Sequence, residues 1–216
     1  MTVKIYDYWR SSASYRVRIA LELKGIIYET VQVDLHPAVE AQKAPAYKTL
    51  NPQMRVPALE VDGEVIGQSM AILEWIEEQW PEPSLLPGNA TNRLRIRAFS
   101  DTIACDIHPL NNPSVLNVLR DAYSADKTAR NIWYGDWIKR GFAALEARYT
   151  GAKTAFLFAD RPSLAEVCLV PQIYNARRFD IDLSDFPKLL EIDRKCRELP
   201  AFIAAEPTPP VDPSPA

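Results

Sequence analysis

The spacing of apolar residues changes from a mixed strand-and-helix pattern to a purely helical pattern near residue 90. In the first part, "VKIYDYW" (residues 3–9) and "IIYETVQVDL" (residues 26–35) are rich in β-branched and aromatic residues, which predicts two strands. Between them, apolar residues recur at helical spacing over residues 15–24. Gly25 stands where a left-handed residue often ends a helix, so this segment predicts a β-α-β unit.

The following elements predict a mixed sheet. A weaker helical pattern covers residues 39–49, and "PALEVDGEVIG" (residues 57–67) predicts two short strands joined by an Asp-Gly turn. "SMAILEWIEEQW" predicts a helix capped by Ser69. A sheet of both parallel and antiparallel strands, covered by helices, is typical of a thioredoxin-like domain, here over residues 1–80.

"PEPSLLPGNA" (residues 81–90) predicts a linker, and helical spacing dominates the chain after it. "SLAE" at 163–166 is a capping box, and Pro171 predicts a kink in the helix that it opens. Helices are predicted over residues 91–106, 114–123, around 133–145, from 163 to about 177, and 187–198. We therefore expect an all-helical domain over 91–205, followed by a disordered tail at 206–216, where five of eleven residues are proline.

Composition narrows the function classes. A net charge of −3 and a pI near 5.5 argue against a nucleic-acid partner. No apolar stretch approaches the roughly 18 residues of a membrane span, and the first residues lack a leader pattern. Three widely spaced cysteines and two histidines favour neither a disulfide framework nor a metal site. We expect a protein of the reducing cytoplasm without a metal.

The junction between the first strand and helix, "YDYWRSSASYRVRIALELKG" (residues 6–25), carries candidate chemistry. A helix N-terminus presents N–H groups and a partial positive charge, and thus attracts anions. In thioredoxins this junction holds a reactive cysteine, whereas "WRSSAS" has none, which excludes a redox reaction of a protein thiol there. Ser11 and Ser12 can instead donate a hydrogen bond to the thiolate of a ligand. The alternative is that one serine only caps the helix.

Two other stretches favour a ligand. In "NPQMRVPALEVDG", Val56-Pro57 precedes a strand, where thioredoxin-like folds hold a cis-proline and leave the backbone of the preceding residue to pair with a peptide-like ligand. In "GQSMAILEWIEE", Gln68 and Ser69 stand at a second helix N-terminus, suited to a carboxylate and an amine. Taken singly, Pro57 can merely begin a strand and Ser69 merely cap a helix.

Together the three stretches resemble the glutathione site of glutathione transferases. "RSSASYRVRIALELKG" is similar to the zeta-class signature, in which Ser-Ser-Cys leads into Trp-Arg-Val-Arg-Ile-Ala-Leu. "LLP", "IHPLNN", "LVPQIYNARRF" and "DLSDFP" extend the resemblance to maleylacetoacetate and maleylpyruvate isomerases over about residues 3–205. The resemblance implies a thioredoxin-like domain plus an all-helical domain. It also implies a homodimer that acts on a small dicarboxylate in aromatic amino acid catabolism.

The resemblance also implies roles for individual residues. Those that contact glutathione would be Ser11, Ser12, Gln42, Val56, Gln68 and Ser69, with His108, Asn112 and Ser114 from the helical domain. The catalytic candidates would be Ser11 and Ser12 at the thiolate, with Arg10 and Arg178 facing the substrate. For His108 the alternative is a helix-breaking His-Pro pair. For Arg178 it is a solvated helix end shared with Arg177.

The implied reaction is cis–trans isomerisation of a conjugated double bond, with glutathione as a cofactor that is not consumed. Two alternatives remain: another glutathione chemistry on the same site (conjugation or dehalogenation of haloacids), or a binding protein without catalysis. Two positions depart from the family. Ala13 stands where the family has a cysteine, so how the thiolate is oriented is an open question. Ser114 stands where the maleylpyruvate-type relative has an arginine, so which diacid is preferred is also open.

Overall fold

The structure, a computed structural model, describes residues 3–149 and 154–209. It contains two compact units. One comprises the described residues up to Ser84 together with those from Leu199 onward, and the other runs from Leu85 to Glu198. Most of the proline-rich tail, from residue 210, lies outside the described residues.

The first unit is a four-stranded mixed sheet with helices. Its strands have the order β2-β1-β3-β4, in which β1 pairs parallel with β2 and antiparallel with β3, and β3 pairs antiparallel with β4. The elements are β1 (Val3–Asp7), α1 (Ser12–Lys24), β2 (Tyr28–Gln32), a 3-10 turn (Ala41–Lys43), α2 (Pro45–Leu50), β3 (Ala58–Val61), β4 (Glu64–Gly67), α3 (Ser69–Gln79) and α9 (Pro200–Ala205). The predicted mixed sheet is confirmed.

Helix α1 begins three residues before its predicted start because Ser11 occupies the cap position. It ends as predicted at Gly25, whose φ of 65° is left-handed and whose N–H donates to the carbonyl of Glu22 at 3.1 Å. Most of α1 is buried, including the cationic side chains of Arg16, Arg18 and Lys24. Helix α1 is therefore an internal element of this unit.

Arg18 joins α1 to three other segments. It donates to both carboxylate oxygens of Asp7 at 2.9 and 2.8 Å, to the carbonyl of Trp9 at 3.0 Å, and to that of Ala205 at 3.1 Å. The last contact holds α9 against α1. The sequence places residues up to 205 in the helical domain, whereas the structure packs this short, unpredicted helix with the first unit.

The second unit is all-helical. Its elements are α4 (Ala90–Asp101), a π-helical turn (Thr102–Ile107), a 3-10 turn (His108–Asn111), α5 (Pro113–Tyr123), α6 (Lys127–Tyr149), α7 (Leu164–Arg178) and α8 (Pro187–Arg197). The predicted helix over 91–106 thus leaves the α conformation at Asp101. A Cβ on Gly141 of α6 would lie 2.3 Å from Cδ1 of Ile107, so a larger residue at 141 would force this irregular segment to shift.

The predicted capping box at the start of α7 is confirmed. Glu166 is completely buried, and its carboxylate accepts hydrogen bonds from the N–H of Leu157 at 2.7 Å and from the N–H and hydroxyl of Ser163, both at 2.8 Å. Burial raises the pKa of Glu166, while these three hydrogen bonds favour its ionised form. The side chain therefore joins the preceding loop to the start of α7.

Glu166→Ala is expected to lower the free energy of unfolding by about 3 kcal/mol, because two buried N–H groups lose their acceptor at about 1–3 kcal/mol each. Asn89→Ala is the matched control, since Asn89 caps the exposed start of α4. That change should cost only about 1 kcal/mol. Urea unfolding of both variants measures the difference, and equal losses would contradict the role of Glu166.

Candidate active site

Strand pairing brings three of the predicted segments to one end of the sheet. Tyr6 near the end of β1 pairs with Ala58 at the start of β3, and Ala58 pairs with Gly67 at the end of β4. The segments that follow β1, precede β3 and follow β4 therefore meet at the same end of the sheet. These segments hold Ser11, Val56 and Gln68, respectively, so the first unit brings together residues that are far apart in sequence.

Ser11 caps α1, as the structural alternative predicted. Its N–H donates to the carbonyl of Tyr8 at 2.8 Å, and its Oγ accepts from the N–H of Ser14 at 3.2 Å. A serine hydroxyl can accept and donate at the same time, so capping leaves its hydrogen able to donate to an anion. Ser11 is half-buried, whereas Ser12 is only 4% exposed. Ser11 is thus the more accessible of the two candidates.

The peptide bond between Val56 and Pro57 is cis, which confirms the prediction. The carbonyl just before it, on Arg55, accepts from the hydroxyl of Tyr47 at 2.6 Å and from Nδ2 of Asn51 at 2.9 Å. Among the described residues, no hydrogen bond uses the backbone N–H or C=O of Val56. This backbone can therefore pair with a ligand. Sequence reasoning missed Tyr47 and Asn51; only the Asn-Pro turn signal at residue 51 pointed to the second.

The predicted cap of α3 is wrong, because Gln68 and not Ser69 occupies the cap position. Gln68 has a φ of 73°, and no side chain caps this helix. Ser69, the first helical residue, instead accepts a hydrogen bond at Oγ from Nη1 of Arg16 at 3.3 Å. Nε2 of Gln68 donates to Oε1 of Gln53 at 3.0 Å. The start of α3 thus has no side-chain cap, and the side chains of Gln68 and Ser69 are held by hydrogen bonds to neighbouring residues.

Gln68→Gly is expected to stabilise the protein and to weaken glutathione binding. A non-glycine residue at positive φ costs on the order of 1–3 kcal/mol, part of which glycine recovers. Loss of the amide side chain should raise Kd about ten-fold. Asp62→Gly relieves a second positive φ, of 50°, in the β3–β4 turn, and should leave binding unchanged. Urea unfolding and calorimetric titration measure both effects, and full-strength binding by the Gln68 variant would exclude a contact from this side chain.

The side chains of Gln42 and Arg10 can also bind a ligand. Oε1 of Gln42 is buried and accepts no hydrogen bond from the described residues. The guanidinium of Arg10 lies over the rings of Trp9 and Tyr8, 5.5 and 5.8 Å from their centroids, and no carboxylate of the described chain pairs with it. The first is an acceptor that needs a donor, and the second is a cation able to pair with an anion.

The second unit contains the remaining candidates. Asn112 caps α5, and its Oδ1 accepts from the N–H and the hydroxyl of Ser114 at 3.0 and 2.9 Å. These two side chains therefore have a local structural role, and their contact with glutathione stays a prediction. His108 is half-buried and begins the 3-10 turn, as the His-Pro alternative expects.

Arg177 and Arg178 are neighbours in different environments. Arg177 pairs with the buried carboxylate of Asp193 at 2.6 Å. The guanidinium of Arg178 is exposed and lies 5.8 Å from the ring centroid of Tyr174 and 5.7 Å from that of Phe179. Of the two arginines, Arg178 is therefore the better placed to bind an anionic ligand.

A model of the glutathione S-transferase N-terminal domain matches residues 1–78. A maleylpyruvate isomerase of a Ralstonia species is 46% identical over 207 residues, which cover 95% of this chain and 97% of the relative. A holo structure of a bacterial zeta-class maleylpyruvate isomerase has a TM-score of 0.90, 47% identity, and coverage of 94% and 96% of the two chains.

The chain belongs to the zeta-class glutathione transferases. Another similar protein, maleylacetoacetate isomerase from Anaeromyxobacter dehalogenans, was solved with dicarboxyethyl glutathione and citrate in the active site. It has a TM-score of 0.85 and 40% identity, with coverage of 98% of this chain and 94% of the other. The predicted thioredoxin-like fold with a helical second domain is thereby confirmed.

All three cysteines of this zeta-class chain belong to the helical unit, whereas the Ser11 turn belongs to the first unit. Cys168 and Cys196 are buried in the helical unit, and burial raises the pKa of the Cys196 thiol. Residues 3–149 and 154–209 contain no group of three or more His, Cys, Asp or Glu side chains that could hold a metal. Within the same ranges, no helix has the length and apolar character to cross a membrane.

Proposed function

We propose that this zeta-class chain is a glutathione-dependent cis–trans isomerase of maleylacetoacetate or maleylpyruvate. The observation that carries the proposal is the turn at Ser11, where a hydroxyl with a free donor capacity stands at the start of a buried helix. This turn lies at the same end of the sheet as Val56 and Gln68. Family membership and the three named isomerases support the same activity.

The residues present fit glutathione. Its cysteinyl backbone can pair with the unused N–H and C=O of Val56, as a short strand does. Its γ-glutamyl carboxylate suits the uncapped start of α3 at Gln68 and Ser69. A ligand N–H can satisfy the buried Oε1 of Gln42. When bound, glutathione supplies a thiol whose anion adds reversibly to the conjugated double bond.

The role of Ser11 is to stabilise that sulfur anion. An ordinary cysteine thiol has a pKa of about 8.5, and lowering it by two units requires about 2.7 kcal/mol. A helix N-terminus contributes about 0.3–1 kcal/mol when exposed and up to about 2 kcal/mol when partly buried. A hydrogen bond to a charged group contributes about 1.5–3 kcal/mol. The α1 terminus and the Ser11 hydroxyl together therefore suffice, whereas the terminus alone falls short.

Arg10 and Arg178 are each suited to pair with a carboxylate of the substrate. A guanidinium pairs with carboxylate through two parallel hydrogen bonds, which fixes the orientation of the diacid as well as binding it. Both guanidinium groups lie against aromatic rings, which hold them in place. In the described chain, no carboxylate pairs with Arg10 and competes with a ligand. A guanidinium that holds one carboxylate leaves the other end of the diacid able to move when the central bond rotates.

The test is to mix purified protein, glutathione and either diacid, and to follow loss of the cis isomer by absorbance. Isomerisation requires glutathione but leaves its concentration constant. Net loss of free thiol would instead indicate conjugation, and halide release from an α-haloacid would indicate dehalogenation. Glutathione binding without turnover of any of these substrates would indicate a binding protein.

Ala13→Cys is expected to change turnover by less than ten-fold. A cysteine here adds at most a weak second donor, of about one kcal/mol, to the hydroxyl of Ser11 and the α1 terminus. Steady-state kinetics of both proteins on both diacids measures the change. If wild type binds glutathione but isomerises neither diacid, while the Ala13 variant does so readily, the natural chain is not an isomerase.

We also infer a homodimer in the cytoplasm. Ile66 on the edge strand β4 is 44% exposed, and contact with a second copy of the chain would cover this apolar side chain. The three free cysteines are consistent with a reducing compartment. Light scattering should give twice the chain mass of 24.4 kDa, and Ile66→Glu should lower it.

A further inference from the structure

Arg16 is a buried cation that links the starts of two helices. Its side chain projects from the second turn of α1, and the residue is 1% exposed. Nη1 donates to Oγ of Ser69 at 3.3 Å, across 53 positions of sequence. The contact therefore places a guanidinium beneath the first residue of α3.

The direction of this hydrogen bond determines what Ser69 can do. A guanidinium only donates, so Oγ of Ser69 is the acceptor and its hydrogen is directed away from Arg16. The serine does not cap its own helix, in contrast to Ser11 on α1 and Ser163 on α7. Ser69 thus keeps one hydroxyl hydrogen at a helix N-terminus, next to a fixed positive charge.

This arrangement favours an anion over a neutral group at Ser69. The N-terminus of α3 contributes a partial positive charge, and a buried guanidinium adds a full charge that solvent screens poorly. Withdrawal of electron density by Arg16 also makes the hydroxyl a stronger donor. A neutral amide at the same place would gain little from any of these groups.

We propose that Arg16 is a positioning residue that makes binding at Ser69 selective for a free carboxylate, namely that of the γ-glutamyl group. The inference rests on the proposed function, because it takes glutathione as the ligand. Arg16 itself, being buried, acts through the orientation and polarity of Ser69. Arg18, two positions along the same helix, instead pairs with Asp7 and offers a matched control.

The experiment compares Kd for glutathione with Kd for γ-aminobutyryl-cysteinyl-glycine, which lacks only that carboxylate. In wild type the analogue should bind about 50-fold more weakly, as expected for loss of a charge-assisted contact. In Arg16→Met this ratio should fall to about five, because glutathione alone loses affinity. Arg16→Lys keeps the charge and should keep most of the ratio, while Arg18→Lys should leave it unchanged. Unfolding curves establish that each variant is folded at the temperature of titration.

The double variant Arg16→Met with Ser69→Ala tests whether Arg16 acts through Ser69. The two losses in glutathione affinity should not add, and the double variant should bind within two-fold of the weaker single variant. Fully additive losses, or an unchanged ratio in Arg16→Met, would overturn the role of Arg16 while leaving the proposed function intact. Failure of wild type to bind glutathione would instead contradict the proposed function and this role together.

Discussion

Ser11→Ala should raise the pKa of the bound glutathione thiol and lower turnover by about 100-fold, because one charge-assisted hydrogen bond of about 1.5–3 kcal/mol is lost. The thiolate is the reactive form, so the rate increases as pH increases through the thiol pKa. Loss of a donor to the anion moves that increase to higher pH. Thiolate absorbance titrated against pH gives the midpoint directly, and kcat against pH gives its kinetic counterpart. Glutathione affinity should change much less, since Val56, Gln68 and Ser69 are intact.

The capping role of Ser11 requires its own control, because alanine at a cap costs about 1 kcal/mol of stability. Glycine at a cap costs only a few tenths of a kcal/mol, yet it also lacks the hydroxyl. Ser11→Gly should therefore lose as much activity as Ser11→Ala with less loss of stability, and Ser11→Thr should retain much of both. A midpoint that does not move in the alanine variant would exclude Ser11 as the donor and leave Ser12 as the candidate.

Much of the first unit could be predicted because local signals determine it. The Asp-Gly pair at Asp62 fixes the β3–β4 turn, Gly25 ends α1, and Pro57 marks the cis peptide, each through conformational preferences of the residue itself. The capping box at Ser163 is likewise local. Pairing of β1, β3 and β4 then brings the site segments together, and the order of elements already implied a mixed sheet.

The features that sequence reasoning missed depend on contacts between distant residues. Serine at a helix start favours the cap position, but the chain leaves β4 through a left-handed Gln68, so Ser69 falls one residue later. Helix α9 is six residues long and packs against α1, where it buries Phe202 and where Arg18 binds its last carbonyl. The pairing of Arg16 with Ser69 spans two helices, and no periodicity or motif in either helix indicates it.

Arg178→Ala should raise KM for the diacid about 30- to 150-fold while glutathione affinity holds, because a bidentate pair with carboxylate is lost at about 2–3 kcal/mol. Arg178→Lys preserves the charge but not the planar fork, so it should recover only part of the loss. Initial rates over a range of diacid concentrations at saturating glutathione separate KM from kcat.

Arg177→Ala is the control, because the same charge is removed one residue away. Arg177 pairs with Asp193, whose side chain is 1% exposed, so this change leaves a buried carboxylate without that partner. We expect a loss of about 1–3 kcal/mol of stability and no change in KM. The opposite result, a raised KM in the Arg177 variant and unaltered kinetics in the Arg178 variant, would mean that Arg178 is only a solvated helix end. The two side chains carry the same charge and differ in their partners. The comparison therefore shows which of the two guanidinium groups binds the diacid.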